Sequence, residues 1–173
     1  MTIGLLDESE ILRRLGELSG LLHDAVEHGA SIGYTLPLDA GETGAYWRGV
    51  AAGVKAGGRV VIAACETDGA LIGSGQLALE MRSNGRHRAE VQKVMVRHAA
   101  RGRGIGAALM ARLEAEAAAR KRTLLFLDTS VGAGGAVDFY TRLGYLPAGS
   151  IPDYAAAPDG TLHANAIFYK KLA

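Results

Sequence analysis

From about Asp7 to His28 the apolar residues Ile11, Leu15, Leu18, Leu21, Leu22 and Val26 recur mostly at three- and four-residue spacing, which predicts one amphipathic helix. A second helix is expected from about Asp39 to Lys55, after Pro37 and before the stop signal Gly57-Gly58. The period then changes. Val60 to Cys65 and Leu71 to Met81 are short β-rich runs on either side of Thr67-Asp68-Gly69, so they read as a hairpin. The turn Ser83-Asn84-Gly85-Arg86 leads to a third strand, Arg88 to Arg97. Strict alternation along it puts Glu90, Gln92, Val94 and Val96 on one side and Ala89, Val91, Lys93 and Met95 on the other.

A glycine-rich loop follows, then a helix to about Lys121 with Ile105, Leu109 and Leu113 facing inward, then a strand from Thr123 to Asp128. These form one βαβ unit. A short helix from Ala136 to Leu143 ends at Gly144, and two more strand candidates flank the turn Pro158-Asp159-Gly160. The expected fold class is α/β: residues 1–173 as one domain, with a mixed, mainly antiparallel sheet flanked by helices.

Composition narrows the function. A chain of 173 residues closes a sizeable core, and 49% hydrophobic with 21% charged residues excludes disorder. No apolar run reaches membrane-spanning length. A net charge of +1 gives no global field to attract nucleic acid, so any anion must meet a local cluster. Cys65 is the only cysteine, read as a small core residue. Met1 to Glu10 carries Asp7, Glu8 and Glu10 and does not read as a signal peptide, so a cytoplasmic location is expected. The five histidines lack ligand-like spacing, and no metal is expected.

The chemistry concentrates in Arg101-Gly102-Arg103-Gly104-Ile105-Gly106. The helix begins inside these glycines, so its first N–H groups lack intrahelical acceptors and attract an anion. Glycines let the backbone approach a phosphate, and Arg101 and Arg103 add charge-assisted donors. No Lys-Ser or Lys-Thr pair exists, so a Walker loop is out. Gly102, Gly104 and Ala107 satisfy the G-x-G-x-x-A dinucleotide pattern, with Asp128 where a ribose-binding acid would sit, which keeps an NAD-binding oxidoreductase as a rival. Arg97 to Arg101 intervene between strand and glycines, and the unit follows an antiparallel meander; both features count against that rival.

Val94-Met95-Val96, the loop from Arg101 to Gly106 and the helix after it resemble the acetyl-CoA-binding motif of the GNAT N-acetyltransferase superfamily, with its pattern Arg/Gln-x-x-Gly-x-Gly/Ala. Arg101, Gly104 and Gly106 match. The likeness continues in order through Leu124 to Asp128 and the helix bearing Phe139-Tyr140, covering roughly residues 59 to 173. Ala30 to Tyr34, Arg88 to Lys93, Leu127-Asp128-Thr129 and Pro158 to His163 are further similar to the tabtoxin-resistance acetyltransferase. The resemblance implies acetyl-CoA as cofactor, held by Val94, Met95, Val96 and the stretch Arg101, Gly102, Arg103, Gly104, Ile105, Gly106 and Ala107. It also implies transfer to the primary amine of a small molecule such as a toxin or an amino-acid-like compound, by a monomer or homodimer. A non-catalytic acyl-CoA sensor would share the loop.

Acetyl transfer to an amine needs a base for the ammonium, a donor for the oxyanion and a proton for the thiolate. The resemblance carries the base role to Glu90 and Asp128 and the acid role to Tyr140. A backbone N–H near Met95 or Val96 is the oxyanion candidate, where strands of the superfamily splay. Asp138 and Arg142 can form a surface pair, with Phe139 and Leu143 as core. Tyr34, Gln76 and Tyr154 are candidates for the amine site, Tyr154 from the loop before Pro158; each also has a structural explanation. Trp47, on a helical pattern, reads as core.

Overall fold

Asp7 starts the first helix with a capping box: its carboxylate accepts from Glu10 N at 2.8 Å while Glu10 accepts from Asp7 N at 3.0 Å. A computed structural model describes residues 1–132 and 135–172. The single helix expected from Asp7 to His28 is two, α1 (Glu8–Arg13) and α2 (Leu15–Glu27). Arg14 leaves helical geometry between them (φ −94, ψ 17) and donates to the Gly69 carbonyl at 3.2 Å. The helices are therefore broken where a long side chain ties them to a distant turn. The apolar stripe survives the break, since Ile11, Leu18, Leu21, Leu22 and Val26 are all buried.

Asp39 caps the next helix, α3 (Ala40–Lys55), by accepting from Glu42 N at 2.9 Å. The strands are β1 (Thr2–Leu5), β2 (Arg59–Cys65), β3 (Leu71–Leu79), β4 (Arg88–Val96), β5 (Leu124–Ser130), β6 (Leu146–Ala156) and β7 (Leu162–Lys171). Between them lie α4 (Ile105–Ala119) and α5 (Ala136–Arg142). Sequence periodicity misses β1, which is four residues long and mostly exposed; pairing with β2 alone makes it a strand. Tyr154 lies within β6, not in a loop.

The sheet runs β1-β2-β3-β4-β5-β7-β6 and is antiparallel except at β4–β5. This is the expected mixed α/β architecture, and it lacks the parallel series that a doubly wound dinucleotide fold requires. One core packs Leu18, Leu22, Trp47 and Val50 of α2 and α3 on one face of the sheet. On the other face, Ile105, Leu109 and Leu113 of α4 pack with Val91 and Leu127. Trp47 is fully buried, as its helical position predicts.

Strict alternation fails in β4. Gln92 lies opposite Gln76 but Met95 opposite Ser74, so β4 carries one extra residue. Lys93 takes a left-handed conformation there (φ 49). As a result Glu90 and Gln92 share a face with Met95, while Val94 and Val96 turn to the α4 side with Ala89 and Val91. The expected sharing of one face by Glu90, Val94 and Val96 is corrected by this bulge.

Gly73 is one of the β3 glycines over which α4 packs closely: a Cβ there would stand 3.0 Å from the Met95 carbonyl oxygen and 3.1 Å from Leu109 Cδ1. Gly73→Ala is expected to cost about 1–3 kcal/mol through overpacking. Gly4→Ala, with nothing within 4 Å of its Cβ position, should stay within about 0.5 kcal/mol. Urea midpoints of the two variants check this; equal midpoints would refute the close approach.

Candidate active site

The loop after β4 is shaped by two glycines. A short 3-10 turn, His98–Ala100, carries the chain away from the strand. Gly102 (φ 78) and Gly104 (φ 76) then take left-handed conformations that a side chain would strain. No atom lies within 4 Å of where a Cβ would stand on either, so open space faces the backbone. Gly104 caps α4 with no side-chain hydrogen bond, and the first helical bond is from Ala108 N to Gly104 O. The N–H groups of Ile105, Gly106 and Ala107 thus have no acceptor earlier in the helix, and the helix dipole favours an anion in front of them. Ile105 is buried, and a Cβ on Gly106 would lie 3.3 Å from the Phe139 ring. These contacts hold the start of α4 against the sheet and α5.

The two loop arginines differ. Arg101 is exposed, with its Nε 3.4 Å from the Val96 carbonyl and no carboxylate partner among the described residues. Arg103 pairs with Glu66 of the β2–β3 turn at 2.6 Å, which holds the Glu66 carboxyl below its usual range. Any phosphate that draws on Arg103 must therefore compete with Glu66. The cradle of free N–H groups, open glycines and Arg101 fits a diphosphate.

Next to this cradle the sheet forks. β4 and β5 pair in parallel only from Arg88↔Leu124 to Glu90↔Phe126. Beyond that point Val91 to Val96 and Leu127 to Ser130 part, leaving a notch between two central strands. Glu90 is the last paired residue, and Asp128, two residues past Phe126, projects from the same face. The fork thus brings both expected carboxylates to one face of the sheet, on the two strands that border the notch. Neither takes part in a hydrogen bond or ion pair among the described residues.

Near both stands Lys93, which the bulge moves from the face of Ala89 and Val91, where strict alternation puts it, to this one. Its Nζ is 5.9 Å from the Tyr34 ring centroid and 5.6 Å from that of Tyr46, a cation–π arrangement. Burial, then the nearby Arg59 charge, push its pKa down, while Asp128 and Glu90 pull it back. Tyr34 meets Tyr46 edge-on, and burial pushes its own pKa up to about 12. Gln76 is fully buried; its Oε1 accepts from Tyr46 Oη at 3.2 Å and Arg59 at 2.7 Å, and its Nε2 has no partner. Tyr34 and Gln76 therefore belong to this cluster. Tyr154, 50% exposed on β6, makes no hydrogen bond or ring contact with it. A lysine among apolar strand residues was the one available signal for Lys93.

Tyr140 stands on the opposite face. Its ring packs near Phe139, Tyr145 and Phe168, at centroid distances of 5.1, 5.9 and 6.2 Å. Burial and then the Asp128 charge push its phenol up to about 12, so it stays protonated at neutral pH. Asp128, at the edge of the notch, acts on Lys93 on one face and Tyr140 on the other. Phe139 and Leu143 pack on the α4-side core as expected, whereas Asp138 and Arg142 form no ion pair. Among the described residues no His, Cys, Asp and Glu cluster could hold a metal, and no helix is long and apolar enough to cross a membrane.

Comparison with known proteins places this geometry. The model of the acetyltransferase (GNAT) family matches residues 22–145, which include the whole fork and loop. A ribosomal-protein-alanine N-acetyltransferase from Brucella melitensis is similar in fold, with TM-score 0.80 at 24% identity over 99% of this chain and 100% of that one. The putative acetyltransferase yncA from Salmonella typhimurium, solved with its cofactor acetyl-CoA, gives 0.79 at 20% identity over 100% and 94%. A phosphinothricin acetyltransferase from Sinorhizobium meliloti, also in complex with acetyl-CoA, gives 0.80 at 20% identity over 100% and 90%.

The raised phenol of Tyr140 has a thermodynamic signature. A phenol pushed up from its ordinary 10 to about 12 means that the folded protein keeps this proton longer than the unfolded chain. The contribution is complete below pH 10 and is lost as pH climbs through about 12. Tyr140→Phe should therefore flatten the alkaline fall in stability by up to about 1 kcal/mol per pH unit. Urea unfolding at a series of pH values above 9 measures it, and parallel curves for the two proteins would contradict the assignment.

Proposed function

The chain belongs to the acetyltransferase (GNAT) family, an acetyl-CoA-dependent N-acetyltransferase, and from that premise we propose that its acceptor is the primary amine of a small amino-acid-like molecule, of which a β-lactam amino-acid toxin is one example. The fork carries this reading: two unpaired carboxylates and a protonated phenol flank one notch from opposite faces. One of the similar folds is, by its name, an acetyltransferase of the small molecule phosphinothricin. The dinucleotide reading of the glycines has no support in the sheet order or the family match.

Acetyl-CoA supplies a thioester carbonyl and a thiolate leaving group. Its diphosphate suits the N–H groups of Ile105, Gly106 and Ala107, with Gly102, Gly104 and Arg101 around them and Arg103 shared with Glu66. Val94, Met95 and Val96 contribute backbone rather than side chains, since Met95 is buried under α2 and Val94 and Val96 pack towards α4. A free N–H near Met95 or Val96 meets the negative charge that develops on the carbonyl oxygen.

Glu90 or Asp128 takes the proton of the acceptor's ammonium, directly or through water, because only the neutral amine has a lone pair for attack. As the N–C bond forms and the C–S bond breaks, Tyr140 delivers its proton to sulfur, and the second proton shed by the attacking nitrogen restores the phenol through solvent.

Two variants separate these roles. Tyr140→Phe should lower kcat at least tenfold while the acetyl-CoA Kd changes less than about twofold, because the thiolate is absent from the ground state; unchanged kcat removes Tyr140 from the chemistry. Glu90→Gln should flatten the rise of kcat/KM with pH. An unaltered profile at normal activity hands the base role to Asp128. Free-thiol release over amino acids, β-lactam amino acids and aminoglycosides identifies the acceptor, and any turnover removes the non-catalytic sensor.

A further inference from the structure

The face that receives the acceptor holds more than the carboxylates. Lys93 and Arg59 are both partly buried there, and neither forms an ion pair among the described residues. Arg59 donates only to amide oxygens, Gln76 Oε1 at 2.7 Å and Gln92 Oε1 at 2.9 Å. Among the described residues Lys93 Nζ makes no hydrogen bond, and the faces of two tyrosines lie beside it. The amide nitrogen of Gln76, on a residue with no exposed surface, is a donor without a partner.

Placing two cations side by side in a half-buried cleft is costly, and nothing within the chain offsets it through a direct pair. On the same face Glu90 and Asp128, near enough to pull the Lys93 pKa up, are acceptors without donors among the described residues. Unmatched donors and unmatched acceptors on one face are the electrostatic complement of a zwitterion.

We infer that Lys93, backed by Arg59, is the specificity-determining residue that receives the acceptor's carboxylate while its amine lies between Glu90 and Asp128, so that the acceptor class is amines bearing a free acid. This rests on the transferase reading above. Lys93 reaches this place through its left-handed bulge, which swings its side chain under Gly33, where a Cβ would be 3.5 Å from Nζ. The ammonium is a compact donor on a flexible stem, able to follow a bound carboxylate without breaking the Arg59 bonds to Gln76 and Gln92. Tyr34 and Tyr46 offer the ammonium their ring faces when no acid is bound.

The test is a set of matched acceptors read by thiol release: L-ornithine against putrescine, L-lysine against cadaverine, each amino acid against its methyl ester, and kanamycin as a polycation without a carboxylate. The wild type should favour the free acid at least tenfold in kcat/KM. Lys93→Met should reduce that ratio at least tenfold, chiefly through KM for the acid, and Lys93→Arg should restore most of it. A purely structural lysine would lower all acceptors alike and leave the ratio unchanged, which overturns the inference. Equal use of acid and ester, or preference for putrescine, cadaverine or kanamycin, overturns it on the wild type alone, even if Lys93→Met does not fold. Thiol release without a carboxylate preference removes only the role of Lys93; no release with any acceptor, although acetyl-CoA binds, removes the transferase reading itself.

Discussion

The separation of β4 from β5 beyond Glu90 and Phe126 is the constraint on which the site depends. Central parallel strands normally continue their ladder, and leaving backbone groups unpaired inside a sheet is costly unless a ligand or water takes them. Here three residue pairs hold the strands together and the rest diverge. The divergence makes one opening through the sheet, and it places a carboxylate on each bank. It also gives Tyr140 and Lys93, on opposite faces, a common neighbour in Asp128.

The extra residue in β4 serves the fork. Without it Val94 and Val96 would continue the face of Glu90 and Gln92, placing two valines among polar groups and Met95 under α4. With it, the apolar side chains return to the α4 core and the polar cluster faces the open side. Lys93 holds the left-handed conformation at a cost of order 1 kcal/mol, and its side chain projects towards two aromatic rings as a result.

Charge is arranged by neighbourhood, since the net charge is only +1. Glu66 neutralises Arg103 beside the glycine loop, while Arg101 keeps its charge for an incoming anion. On the acceptor face the balance is kept at longer range: Arg59 and Lys93 repel each other, and Glu90 and Asp128 offset part of that repulsion.

The chain's local patterns determined much by themselves. The N-caps at Asp7 and Asp39, the inward face of α4, the short helix bearing Tyr140 and the anion loop all depend on residues within a few positions of one another. Helical period and glycine conformation are short-range properties, so they are legible without the fold. Pairing between distant segments decided the rest. It made Thr2–Leu5 a strand, broke the first helix at Arg14, set Tyr154 on β6 and gave Arg103 to Glu66. Most of all, it inserted a bulge opposite Gly75. A period of two assigns strand faces only while the register is unbroken, and one extra residue exchanges them; that is why Lys93 was hidden in the sequence and central in the site.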